Sequence, residues 1–201
     1  MADGEKNTSS RAKKGSGKAT SSKLLLVGLT AFLVAAIGIT AVLATTGGAG
    51  GSGGSFTPND EGLIQPGSQA PQAAAESVDG GEVSIPGSPG EPTLLAFFAT
   101  WCPHCNNDAP IFADLARENE DLNVVMAGMD GEDNPQKIQE FVEEYGIEGE
   151  AFYDPSVGQT YQVTGYPTTY VIDGSGEIVG ANVGETPKDV LQGWIDQAGS
   201  Q

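Results

Sequence analysis

The feature that most restricts this chain is a pair of cysteines three positions apart, Cys102-Pro103-His104-Cys105, set between a strand-like run and a helix-like run. Residues 94–99, LLAFFA, form a short apolar stretch of buried-strand type, and residues 106–118 read as a helix. The order strand, Cys-x-x-Cys, helix puts Cys102 at a helix N-terminus, where unpaired backbone N–H groups and the helix dipole favour a thiolate. Cys102 is then the attacking nucleophile, and Cys105, nearly one turn on and more buried, resolves the mixed disulfide. Pro103 occupies the helix start without wasting a needed N–H. These are the only cysteines in the chain. A Cys102–Cys105 disulfide closes too short a loop to act as a structural staple, so the pair reads as redox chemistry.

His104 is the only histidine. Turned toward the sulfur, its ring stabilises a thiolate and tilts the pair slightly toward oxidation; the other reading is an exposed residue in a tight turn. Metal and haem uses fail on ligand count. A closed zinc site wants four Cys or His donors, and two Cys plus one His are available. Covalent haem attachment needs Cys-x-x-Cys-His, and position 106 is Asn. A copper module with a further histidine fails for lack of that histidine. No metal and no other cofactor is expected.

Ahead of this region the chain changes character. Residues 24–44, LLLVGLTAFLVAAIGITAVLA, carry no charge and would span about 31 Å as a helix, the thickness of a bilayer core. The 23 residues before them hold six Lys or Arg against Asp3 and Glu5; after them come Arg117, Lys137 and Lys188 against 25 acidic residues. Basic residues flanking a span stay on the cytoplasmic side, so the acidic remainder belongs outside. A cleaved signal peptide ending near Val42-Leu43-Ala44 is the alternative. The expected organisation is a cytoplasmic basic tail (1–23), a transmembrane helix (24–44), a Gly/Ser-rich linker (45–66) and a folded domain (67–201). A net charge of −18 excludes nucleic acid, whose phosphates need clustered cations.

Within the folded part, strand and helix patterns alternate, which predicts an α/β domain with a mixed or parallel sheet covered by helices. Further strands are expected at 122–129, 151–153, 168–172 and 177–183. The last two flank Asp173-Gly174-Ser175-Gly176, a hairpin signal. Helices are expected at 135–145, capped by Asp133 or Asn134, at 156–161, and at 186–198 with Thr186 as N-cap.

These residues resemble the thioredoxin superfamily, and more closely its extracytoplasmic TlpA/ResA-like branch. The resemblance is carried by Gly67-Ser68-Gln69-Ala70-Pro71, by residues 97–105 with Trp101 just before the first cysteine, by residues 106–110 with Pro110 inside the helix, and by residues 165–174. It implies a thioredoxin-like fold, a central mixed β-sheet flanked by helices. It also implies a cis Pro167 lying against the cysteine pair, with Trp101, Tyr166 and Pro167 forming the substrate face. The Tyr166 backbone would then pair with an extended peptide by strand addition.

Two departures stand out. Thioredoxin's buried Asp ahead of the motif is replaced by Ala96. Asp108 holds the place where the branch often has Glu, three residues after the second cysteine. Its carboxylate either relays a proton during exchange or lies solvated on the helix surface. The Cys-Pro-His-Cys centre itself looks like that of DsbA-type oxidases, yet only 61 residues separate Cys105 from Pro167, too few for their inserted helical domain.

The chain is therefore expected to be a thiol–disulfide oxidoreductase, anchored by a single span with its N-terminus in the cytoplasm. It would act as a monomer on protein thiols and disulfides, together with a membrane or extracytoplasmic redox partner. A dedicated reductant in cytochrome c maturation and a non-catalytic binding module are the alternatives; a peroxidase does not fit the Cys-x-x-Cys spacing.

Overall fold

The computed structural model describes residues 58–200. The expected cytoplasmic tail and transmembrane helix lie outside these residues, as does most of the expected linker. Among the described residues no helix is long and apolar enough to cross a membrane.

The described residues form seven strands and four helices in the order β1 (Ala73–Glu76), β2 (Glu82–Ile85), β3 (Thr93–Phe98), α1 (Pro103–Glu118), β4 (Asn123–Gly128), α2 (Pro135–Tyr145), β5 (Glu150–Tyr153), α3 (Pro155–Thr160), β6 (Thr168–Ile172), β7 (Ile178–Val183) and α4 (Lys188–Ala198). Strands β3 to β7 form one mixed sheet in the order β5-β4-β3-β6-β7, and β1 and β2 form a separate antiparallel hairpin. Strand β3 is central and wholly buried, which is why its sequence is a continuous apolar run instead of an alternation.

The alternation reappears as a sorting of side chains onto two faces. Leu94, Ala96 and Phe98 pack with Phe112 of α1, Phe141 of α2 and Leu191 of α4. Leu95 and Phe97 pack on the other face with Val83 and Ile85 of the hairpin and with Tyr161 and Tyr170.

Caps set the helix limits. The Asn134 side chain accepts from the Lys137 N–H at 3.1 Å and so is the N-cap of α2. Gly146, at φ 62°, ends that helix in the left-handed conformation that glycine adopts without strain. Asp173 Oδ1 accepts the N–H groups of Ser175 and Glu177, both at 2.9 Å, and so builds the β6–β7 turn.

Two expectations are corrected. Thr186 does not cap the last helix. Its hydroxyl accepts from Asn182 Nδ2 at 3.0 Å, and α4 begins two residues later, after Pro187. The domain also begins earlier than Gly67. The Val183 N–H donates to the Asn59 carbonyl at 2.8 Å, the Gly67 N–H donates to the Ile178 carbonyl at 2.8 Å, and Leu63 is buried in the second core. Residues 59–67 thus cover the outer edge of β7, which would otherwise present unpaired backbone groups.

Candidate active site

The sheet's topology decides what gathers around the cysteines. Strand β4 runs parallel to β3, whereas β6 runs antiparallel to β3 and β7 antiparallel to β6. The C-terminal ends of β3, β4 and β7 and the N-terminal end of β6 therefore share one edge of the sheet. Each end leads into a loop with a polar or reactive group: Cys102 after β3, Asp130 and Asp133 after β4, Tyr166 and Pro167 before β6, and Glu185 after β7.

Cys102 is the N-cap of α1, its backbone extended, with Pro103 at the first helical position. Its carbonyl is held by the Asn106 backbone N–H at 3.1 Å and by Asn106 Nδ2 at 2.7 Å. The Asn106 amide oxygen in turn accepts from the Tyr145 hydroxyl at 2.8 Å. The Tyr166–Pro167 peptide is cis, as the resemblance implied, and the Tyr166 carbonyl stands 3.8 Å from Cys102 Sγ. Both cysteines are buried, and no disulfide joins them. Cys105 is buried against the sheet. Burial, reinforced by the hydrogen bond with Cys102, pushes its thiol far above the ordinary range, so it keeps its proton until a base takes it.

Asp108 is also buried, only 1% exposed, so it is not a solvated surface residue. Burial pushes its carboxyl from 3.8 to about 7; the backbone of Thr186 and the charge of His104 pull it down, while the charge of Glu185 pushes it up. Its Oδ2 has no hydrogen-bond partner. A carboxyl that titrates near neutrality, one helical turn beyond Cys105, is suited to exchanging a proton at the working pH. Ala96, in the place of the thioredoxin Asp, is buried and supplies no such group.

His104, weighed either as turned toward the sulfur or as an exposed turn residue, is exposed, and its Nδ1 lies 2.5 Å from Glu185 Oε1. Asn107 Nδ2 donates to that same oxygen at 2.8 Å. The bonds from His104 and Asn107 hold the Glu185 carboxyl below its usual range. The imidazole is thus engaged with a carboxylate and not with sulfur. No local pattern marks Glu185, because 81 residues separate it from His104; only the strand register brings the two together.

Trp101 is the one large apolar side chain exposed among the described residues, at 54%. Its indole N–H donates to Asp130 Oδ1 at 3.1 Å, and its ring meets that of Tyr166 edge-on, with centroids 6.4 Å apart. Beneath it, the nearly buried Asp133 accepts both the backbone N–H of Thr100, at 3.0 Å, and its hydroxyl, at 2.5 Å. Asp133 therefore ties the end of β4 to the segment leading into Cys102, a role invisible when it is weighed only as a helix cap. Among the described residues no three His, Cys, Asp or Glu side chains converge to hold a metal ion.

Comparison with known proteins agrees with this geometry. Residues 66–181 match the model of the AhpC/TSA family. The thioredoxin-like protein YneN of Bacillus subtilis is 30% identical over 136 residues, which cover 66% of this chain and 80% of that protein. The thiol–disulfide oxidoreductase ResA of Bacillus anthracis is 26% identical over 138 residues, 68% of this chain and 80% of the relative. Among solved structures, a Chlorobium tepidum protein assigned as the thiol:disulfide interchange protein DsbE superposes with a TM-score of 0.61 at 26% identity, covering 67% of this chain and 98% of its own. The DsbF structure from Mycobacterium tuberculosis gives 0.58 at 26% identity, over 63% and 95% of the two chains. The chain belongs to the AhpC/TSA family, and it is a thiol–disulfide oxidoreductase of the thioredoxin-like ResA/DsbE type.

Proposed function

We propose that this protein reduces disulfides in protein substrates outside the cytoplasm, held at the membrane by residues 24–44. The observation that carries the chemistry is the meeting of Cys102, at the start of α1, with the Tyr166 carbonyl beside cis Pro167, while Cys105 lies buried behind it. An extended substrate pairs with the Tyr166 backbone, and the exposed Trp101 flanks it. The Cys102 thiolate attacks one substrate sulfur. The substrate S–S bond breaks, and its other sulfur leaves as a thiolate that takes up a proton. Asp108 accepts the Cys105 proton, and the Cys105 thiolate attacks Cys102 Sγ. The Cys102–Cys105 disulfide forms and the second substrate thiol is released. Two electrons and two protons pass to the substrate.

The reductive direction is supported by charge. The ring of His104 is engaged by Glu185, and Asp108, Asp130 and Asp133 add carboxyl groups around the centre. Burial, the hydrogen bond with Cys102 and the charge of Asp108 all hold the proton on the Cys105 thiol, and a pair whose dithiol gains little from a thiolate gives its electrons away more readily. Equilibration with glutathione tests this: a potential near that of thioredoxin, about −270 mV, is expected, and one near that of DsbA, about −120 mV, overturns the direction. A Cys105→Ser variant should accumulate mixed disulfides with its substrates. One dominant trapped partner would mark a dedicated reductant, such as one preparing cysteines for haem attachment; many partners would mark a general one. The intact mass of the protein in the membrane fraction tests the anchor, because a mature chain starting near Thr45 would refute it.

A further inference from the structure

The geometry points to Glu185 as a positioning residue that keeps His104 from assisting the Cys102 sulfur, and so sets how reducing the Cys102–Cys105 pair is. This inference rests on the exchange reaction proposed above and concerns its tuning.

Two donors converge on one oxygen of Glu185: His104 Nδ1 at 2.5 Å and Asn107 Nδ2 at 2.8 Å. Both belong to the first turns of α1, immediately after Cys102. An exposed ion pair is ordinarily worth little, because ordering two side chains cancels much of the attraction. Here the backbone that carries the carboxylate is already fixed. The buried amide of Asn182 donates to the carbonyls of Gly184 at 2.9 Å and Glu185 at 3.4 Å and to the Thr186 hydroxyl at 3.0 Å. Its oxygen accepts the Asn59 N–H at 2.6 Å. The Gly184 N–H also donates to the Pro167 carbonyl at 2.7 Å, tying the loop to the cis-proline segment. The loop therefore presents Glu185 to the helix start from a rigid support, and part of the ordering cost is offset by the fold.

The consequence for the chemistry follows from where the imidazole can act. A histidine between two such cysteines promotes the dithiol form when its charge faces the nucleophilic sulfur. With Nδ1 bound to a carboxylate, the positive charge of the protonated ring is compensated on the spot. The dithiol loses that support, and the disulfide gains by comparison.

The test uses the full chain and four proteins: wild type, Glu185→Gln, His104→Ala and the double variant. Glu185→Gln keeps the size of the side chain and removes its charge. It should lower the equilibrium constant for oxidation by glutathione disulfide two- to fivefold, making the pair more oxidising; fivefold is roughly 20 mV for a two-electron couple. In the His104→Ala background the same substitution should change nothing. An unchanged constant in Glu185→Gln, a shift toward stronger reduction, or an equal shift with and without His104 overturns the inference. A second readout is the nitrogen NMR signature of His104, which is unambiguous because the chain has no other histidine. In the wild type the proton of the neutral ring should sit on Nδ1, and in Glu185→Gln that preference should fade. An unaltered tautomer also overturns it. A wild type that exchanges no disulfides would refute the proposed function instead, so the two failures are distinguishable.

Discussion

Replacing Asp108 with asparagine removes a charge that the fold holds at a cost. The carboxyl is 1% exposed, its Oδ2 is unpartnered, and burial moves its titration from 3.8 to about 7. Between about pH 4 and pH 7 the native chain keeps a proton that the unfolded chain has released. Stability therefore falls as pH rises through that window and levels off above it. The interval between the two values corresponds to roughly 4 kcal/mol, and relaxation around a buried charge brings this to about 2–4 kcal/mol. Asparagine carries no such cost. Asp108→Asn should match the wild type near pH 4 and exceed it by about 2–4 kcal/mol at pH 8, or roughly 4–16 °C in Tm for a domain of this size.

Thermal unfolding at pH 4, 6 and 8, followed by tryptophan fluorescence, measures the difference directly. Subtracting one protein from the other cancels the titrating groups that do not interact with Asp108. A gap that stays constant with pH would refute the account of Asp108 as a buried, neutral-range carboxyl. The same variant should be slow in catalysis, because the Cys105 proton then has no nearby acceptor. General acid–base groups contribute about 100-fold or more, so a loss of less than about twofold would exclude the relay. The combination, more stable and less active, is what a group retained for chemistry predicts.

Other positions separate support from contact. Asp133→Ala leaves the Thr100 N–H and hydroxyl without their acceptor and should cost about 1–3 kcal/mol in urea unfolding; a loss below about 0.5 kcal/mol would show that water replaces it. Trp101→Ala should raise KM for a protein substrate while leaving stability within about 0.5 kcal/mol, since the ring is exposed. A fall in kcat at constant KM would remove Trp101 from the substrate face. Gly180→Ala would put a methyl 2.2 Å from the Trp194 ring. It should destabilise the domain by about 1–3 kcal/mol with a normal reduction potential, and an unchanged Tm would contradict that packing.

The parts of this architecture that were legible in the sequence are those written in adjacent residues. The apolar run of β3, the cysteine pair and the Asp173–Gly176 turn each carry their signal within a few positions. Asn134 could be weighed as a cap because its acceptor serves an N–H three residues on. Asp133, its neighbour, could not be assigned to Thr100, 33 residues earlier, without knowing that β3 and β4 run side by side in parallel. The segment 59–66 has a linker's composition, dominated by glycine, proline and polar residues; Leu63, with the half-buried Ile64 beside it, anchors it in the second core. The cis bond at Ile85–Pro86 likewise has no local mark that separates it from an ordinary turn proline.

The same reasoning bears on the direction of chemistry, which the motif alone does not decide. Cys-Pro-His-Cys, taken by itself, favours an oxidant, because the intervening histidine can stabilise a thiolate. What the dipeptide does depends on what stands opposite it, and that is decided by β7. Val183 pairs with Thr168, the residue after Pro167, so the chain leaving β7 must pass over the start of α1. Two residues beyond Val183 it offers a carboxylate to His104. The side chain that marks an oxidase in isolation is held by a loop that only an antiparallel β6–β7 pair could bring there. A redox motif is thus specified by its two cysteines and tuned by residues far away in sequence. The potential of the pair belongs to the folded sheet edge, not to the four letters.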